Sequence, residues 1–186
     1  LAAHPLCDQL KYVACTDAKA HELYLTALQK WMNSEYSHPF LSDVFAYAAG
    51  GTIISDLTRS GILVPDKKGS YDEKQLVCWR VIGYEGETPD CWKNQNLFSA
   101  FSAYYCSQLS GRDTALCMVE GRMEPVALQH PKGIIPVNGN AKLVSANDSL
   151  GFTYRGRFSD EKQAATVGYI ASQKAHNALR WLASAQ

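Results

Sequence analysis

Around the stretch Asn138 to Leu182 the chain gathers groups that can hold an anion or read a base edge. Lys132, Lys142, Arg155, Arg157 and Lys174 are cations able to fix register on a phosphate backbone. Asn138, Asn140, Asn147, Gln173 and Asn177 carry amides, each with a donor beside an acceptor, the pattern that pairs with bases. The Asn138-Gly139-Asn140 turn offers a narrow backbone that can enter a groove. Each asparagine taken singly also serves as a turn or cap residue that satisfies local backbone; the clustering with basic groups is what favours binding.

The same region holds His130, His176 and Asp148, which can compose an acid–base pair or a metal-dependent nuclease site. Against catalysis, the sequence has no carboxylate cluster for Mg²⁺, no HExxH, no phosphate-binding glycine–lysine loop and no GxSxG turn. The expectation is a protein that is not an enzyme and needs no cofactor and no metal.

These groups must be positioned by local structure. His130-Pro131-Lys132-Gly133 reads as a turn in which Pro stiffens the backbone and Gly frees it just after a cation. LVSA reads as a short buried strand and FTYRGRF as an alternating strand, in which Gly156 leaves room for a close backbone between two guanidiniums. Ser159 is the expected N-cap of one last helix with acidic residues in its first turn. In that helix Ala164, Val167, Ala171, Ala175, Ala178 and Leu182 trace a small-residue packing face. Gln173, His176 and Arg180, with Lys174, Asn177 and Trp181, flank a polar ridge that can equally be a solvated face.

The formal net charge is zero, with 18 Lys and Arg against 18 Asp and Glu. It is unevenly spread: Leu1 to Leu128 carry 11 basic and 15 acidic residues, net −4, and Gln129 to Gln186 carry 7 and 3, net +4. A field that changes sign along the chain attracts phosphate locally. Apolar residues at 46% with no apolar run of bilayer-spanning length predict a cytoplasmic protein that does not enter a membrane. The six cysteines form no CxxC pair and lie in segments such as LVCWRV and ALCMV, as reduced, buried thiols do.

Upstream, LKYVAC reads as a short strand. Thr16 and Asp17 are able N-caps for an amphipathic helix with Leu23, Leu25, Leu28, Trp31 and Met32 at helical spacing. FLSDVFAYAA before Gly50-Gly51 and TIISDLTRSGIL with Thr52 as cap predict two more helices. QLVCWRVIGY and TALCMV read as strands. Between them, the run from Cys91 reads as a long helix that buries Trp92, Leu97, Phe98, Phe101, Tyr105 and Leu109. The fold class is therefore α+β, several helices packed on a small, mainly antiparallel sheet. The expected organisation is a single domain over 1–186, with a helical region over 1–64, a sheet-containing region over 75–158 and a C-terminal helix over 159–186. Without an initial Met and ending inside an apparent helix, the chain is expected to be a piece of a longer one.

HPK followed by NAKLVSAND, then GFTYRGRF, then GYIASQKAHNALRWL, resembles the large subunit of the type I-C CRISPR interference complex, the Csd-type member of the Cas-eight group. HPLCDQLKYVAC, AHELYLTALQKWMNSE and GTIISDLTRSGIL are similar to that family's amino-terminal half. The resemblance implies a subunit of the Cascade surveillance complex in antiviral defence, working with crRNA and the other Cascade subunits. It further implies recognition of the protospacer-adjacent motif (PAM) on double-stranded target DNA and help in opening the duplex, with a separate, recruited helicase-nuclease doing the cutting. The competing reading is a docking segment that binds neighbouring subunits and the 5′ handle of the crRNA.

Overall fold

The computed structural model describes residues 3–109, 111, 113–127, 129–134, 139, 142–144 and 166–184. The chain divides into two compact units, Leu1–Gln108 and Leu109–Gln186. Among the described residues there are six helices and two small antiparallel sheets of two strands each, an α+β composition.

In the first unit, β1 (Asp8–Gln9) pairs antiparallel with β2 (Leu76–Val77), Asp8 opposite Val77 and Gln9 opposite Leu76. The chain then turns at once into α1 (Leu10–Val13), so the strand expected over LKYVAC is a helical turn instead. The reason lies in spacing: Leu10, Val13 and Ala14 are all buried, and positions i, i+3 and i+4 share a helix face but not a strand face. α2 (Ala18–Met32) starts at Asp17, whose carboxylate accepts the amides of Lys19 and Ala20 at 3.0 and 3.1 Å. Its buried residues are Ala20, His21, Tyr24, Leu28 and Trp31; Leu28 and Trp31 are buried as expected, whereas Leu25 and Met32 are half-buried and Leu23 is exposed, with Tyr24 inside in its place. The larger Tyr and Trp side chains bury more apolar area than the leucines, which sets the rotation of the helix.

α3 (Phe40–Ala49) ends at Gly50 and α4 (Ile53–Arg59) starts after Thr52, as expected. The Thr52 side chain does not cap the backbone; with Tyr47 and Arg59 it helps hold the Asp56 carboxyl below its usual range. α5 (Gln95–Gln108) begins later than the run from Cys91 suggested, because Asn94 takes the cap position and its Oδ1 accepts the Leu97 amide at 2.9 Å. Leu97 and Leu109 are buried, but Trp92 and Phe98 stand exposed. Phe101 and Tyr104 pack on Trp31 of α2, ring centroids 5.0 and 6.1 Å apart.

QLVCWRVIGY is only partly extended: β2 is two residues long, followed by an isolated antiparallel bridge between Arg80 and Asp90. What fixes the segment is a side chain. The Trp79 indole donates to the carbonyl of Leu6 at 2.9 Å and to the Tyr24 hydroxyl at 3.0 Å, and that hydroxyl donates to the same carbonyl at 2.7 Å. A bonded triangle on one carbonyl spares these buried groups a desolvation penalty of about 1–3 kcal/mol each.

In the second unit, β3 (Thr114–Leu116) and β4 (Met123–Pro125) form a hairpin with Ala115 opposite Glu124. Residues 166–168 run beside it: Met118 donates to the Thr166 carbonyl, Ala127 to the Val167 carbonyl, and Val126 bridges Gly168. A side chain at Gly168 would collide with that of Glu124. Then comes α6 (Tyr169–Ser184). The single helix expected from Ser159 is therefore not continuous, since 166–168 is extended; Ser159 itself, like Ala164, lies outside the described residues. The small-residue face is also corrected: Ala171 is buried, but Ala175, Ala178 and Leu182 are exposed, and the buried side of α6 is Ala171, Ser172 and His176. Two buried polar residues there find hydrogen bonds that alanines cannot make.

Among the described residues no helix is long and apolar enough to cross a membrane. The cysteines are all unpaired, and only Cys91 and Cys117 are fully buried; Cys15, Cys78 and Cys106 are exposed, against the expectation of buried thiols. Beside Cys78 the partly buried Val77 and Trp79 turn inward, as neighbouring extended positions do, and Cys106 lies on the outer side of α5.

Candidate nucleic-acid interface

Three residues of α6 at intervals of four, Ser172, His176 and Arg180, lie on one side of the helix. Together they hold the segment His130–Lys132. The Ser172 hydroxyl is 2.8 Å from His130 Nδ1, and His176 Nδ1 is 2.6 Å from the Ser172 carbonyl and 3.4 Å from its hydroxyl. A carbonyl only accepts, so His176 Nδ1 carries its hydrogen, which leaves the Ser172 O–H to donate to His130. The two imidazoles stack at 5.9 Å. One turn on, the Arg180 guanidinium donates to the Lys132 carbonyl at 2.7 Å.

Held this way, Lys132 pairs with Lys142 in an isolated antiparallel bridge. Lys132 and Lys142 are both exposed. Directly opposed like charges repel, and an anion lying across them would relieve that repulsion. Gly133 takes a φ of +68°, a conformation that favours glycine, and a Cβ there would lie 3.2 Å from the Gly139 carbonyl oxygen. Burial, then the charges of His176 and Lys142, hold the His130 imidazole below its usual 6.5. His130 stays neutral, and the net charge of the surface comes from Lys132, Lys142 and Arg180.

A family model for CRISPR-associated protein (Cas_Csd1) matches residues 1–186. The chain belongs to the CRISPR-associated Csd1 family. Neither a curated protein nor a solved structure matches it. The match runs through both compact units of this Csd1-family chain, so the lysine pair and the helical amino-terminal unit belong to one family sequence rather than to an accidental fusion.

Of the sequence candidates, Lys132 and Lys142 come together. Gln173 and Asn177 lie on α6 on the side next to Arg180, half-buried and exposed respectively. Lys174 is exposed but, at 100° per residue, about 200° around the helix from Ser172. It is therefore separated from the lysine pair. Asn138, Asn140, Asn147, Arg155 and Arg157 lie outside the described residues, as does Asp148. Arg180 is the member of the site that the sequence candidates omitted. Its signal was the i, i+4, i+8 alignment with Ser172 and His176, which identifies a helix face gripping something rather than facing water.

Proposed function

We propose that this Csd1-family chain is a non-catalytic, DNA-binding portion of the large subunit of a cytoplasmic type I-C RNA-guided surveillance complex. In this reading it contributes to PAM recognition on duplex DNA and to opening the duplex, alongside crRNA and the other Cascade subunits. A recruited helicase-nuclease does the cutting.

The observation that carries the reading is the Lys132–Lys142 bridge with Arg180 bound to the Lys132 carbonyl. Two opposed ammonium groups are an unfavourable surface unless a phosphate, or a row of phosphates, lies across them. Gln173 and Asn177 on the Arg180 side of α6 add amides suited to base edges. Against the acid–base alternative, His130 and His176 are only 9% and 1% exposed and direct their Nδ1 atoms to Ser172. A step on a substrate needs groups that substrate can reach.

The test is binding of a PAM-bearing duplex, against a scrambled-PAM control, by the assembled complex across a range of salt. Lys132→Ala and Lys142→Ala are each expected to weaken binding and to lower the salt slope by about 1. Unchanged affinity and slope in an intact complex would remove these lysines from the DNA path. Exposed Trp181 and Leu182 near the end of α6 support the second reading, docking onto neighbouring subunits and the crRNA handle. Failure of the lysine variants to assemble favours that reading.

A further inference from the structure

Cys7 and Cys78 lie where β1 and β2 would pair if carried one residue further. The register sets Asp8 opposite Val77 and Gln9 opposite Leu76, so the next opposed positions are Cys7 and Cys78. The type of pair follows from the ladder. The Leu10 amide donates to the Gln75 carbonyl at 2.8 Å, which makes 10 and 75 a hydrogen-bonded pair. Hydrogen-bonded and non-hydrogen-bonded pairs alternate along an antiparallel ladder, so Cys7 and Cys78 fall at a non-hydrogen-bonded position, where Cα atoms approach to about 4.5 Å. That is within the span of roughly 4.4–6.8 Å that a disulfide bridges. The Cys78 thiol is also, after burial, among the groups that raise the Cys7 thiol, in keeping with two neighbouring side chains.

The two thiols differ in access: Cys78 is exposed and Cys7 is half-buried. We infer that Cys7 and Cys78 are a redox-responsive pair, which a small disulfide of the glutathione class joins into a cross-strand disulfide. The exposed Cys78 thiolate attacks one sulfur of oxidised glutathione, releases a glutathione thiolate and is left as the mixed disulfide. Cys7 then gives its proton to solvent, and its thiolate attacks the Cys78 sulfur and expels the second glutathione. The protein dithiol is oxidised by two electrons, and one glutathione disulfide is reduced to two thiols. Burial, then the Cys78 thiol, pushes Cys7 up to about 12, so ring closure is the slow step. It accelerates about tenfold per pH unit through the neutral range, as the thiolate fraction of Cys7 grows.

The bond would tie the segment carrying Leu6, whose carbonyl anchors Trp79 and Tyr24, to the strand that leads to Trp79. Cys91 is the internal competitor, since its amide donates to the Trp79 carbonyl, but it is buried and lies opposite Trp79 rather than Cys78.

The experiment treats the whole chain, folded, with oxidised glutathione, blocks remaining thiols with iodoacetamide, and maps the sulfur links by mass spectrometry. The expected result is one intramolecular link between the Cys7 and Cys78 peptides, retained in Cys91→Ser and lost in Cys78→Ser. A rise in melting temperature that dithiothreitol reverses should accompany it. Glutathione left on Cys78 without closure, a Cys78–Cys91 link, or a link between two chains would each overturn the inference. Wild-type mapping alone decides the matter if a serine variant folds poorly.

Discussion

His130 Nδ1 lies 2.8 Å from the hydroxyl of Ser172, a side chain only 1% exposed on the inner face of α6. This bond joins the helix to the turn that presents Lys132. Ser172→Ala would leave the His130 nitrogen buried without its donor, which costs about 1–3 kcal/mol. Chemical denaturation followed through the second unit should show that loss. Ser172→Cys, with a weaker donor of similar size, should fall between the two.

The same cluster predicts an acid-sensitive second unit. His130 is held below 6.5 by burial and by the nearby His176 and Lys142, so the folded form takes up a proton less readily than the unfolded chain. Stability is then full above about pH 6.5 and declines as pH falls below it, because only the unfolded state gains the proton. The decline ends once pH passes the folded value. Denaturation midpoints of wild type against His130→Asn across this range check the sign; the slope should flatten in the variant.

Lys142→Ala should separate stability from binding. Removing one of two opposed ammonium groups relieves repulsion and raises stability by about 0.2–1 kcal/mol, while DNA affinity falls. Paired denaturation and binding measurements test this. A variant that loses both stability and affinity would show that Lys142 packs rather than reaches for an anion.

In the first unit, Asn94→Ala should cost about 2 kcal/mol, more than an exposed cap, because the side chain does three things while 1% exposed. Its Oδ1 caps α5 at Leu97, and its amide donates to Glu87 at 2.7 Å and to the Thr88 carbonyl at 2.9 Å. The Asn94 amide, with that of Asn96 and with His38, also holds the Glu87 carboxyl below its usual range. Stability from Glu87 is therefore present at neutral pH and is lost as pH falls through its lowered folded value. Asn94→Asp keeps the cap acceptor but sets a second carboxylate against Glu87, so it should recover little stability at neutral pH and more in acid.

Helices with strong local signals were legible in the sequence. Asp17 capped α2 and Gly50 ended α3 where their types suggested, since a carboxylate on free amides and a glycine at a helix end act within one turn of chain. The stripe of α2 was legible at Leu28 and Trp31 but not in its first turns, because whether Leu23 or Tyr24 faces inward depends on Trp79 and Leu6, which lie far off in sequence. QLVCWRVIGY looked like a full strand, yet its partner supplies only two residues before α1 begins. Lys132 and Lys142 were legible as cations; that they oppose each other was not, for a bridge across ten positions depends on a turn and on α6 behind it. Arg180 was hidden for a related reason: it donates to backbone, and a backbone acceptor leaves no mark on the sequence.

That contact has a kinetic consequence. With the Lys132 carbonyl bound by Arg180 and Lys132 bridged to Lys142, the backbone at Lys132 is held before any ligand arrives. A docking anion then fixes only the two flexible lysine side chains, not the peptide beneath them. Encounter is governed by charge and salt, whereas residence time is governed by how rigidly the two ammonium groups are spaced. In the proposed DNA-binding reading, Arg180 would set the lifetime of a bound phosphate without having to touch it.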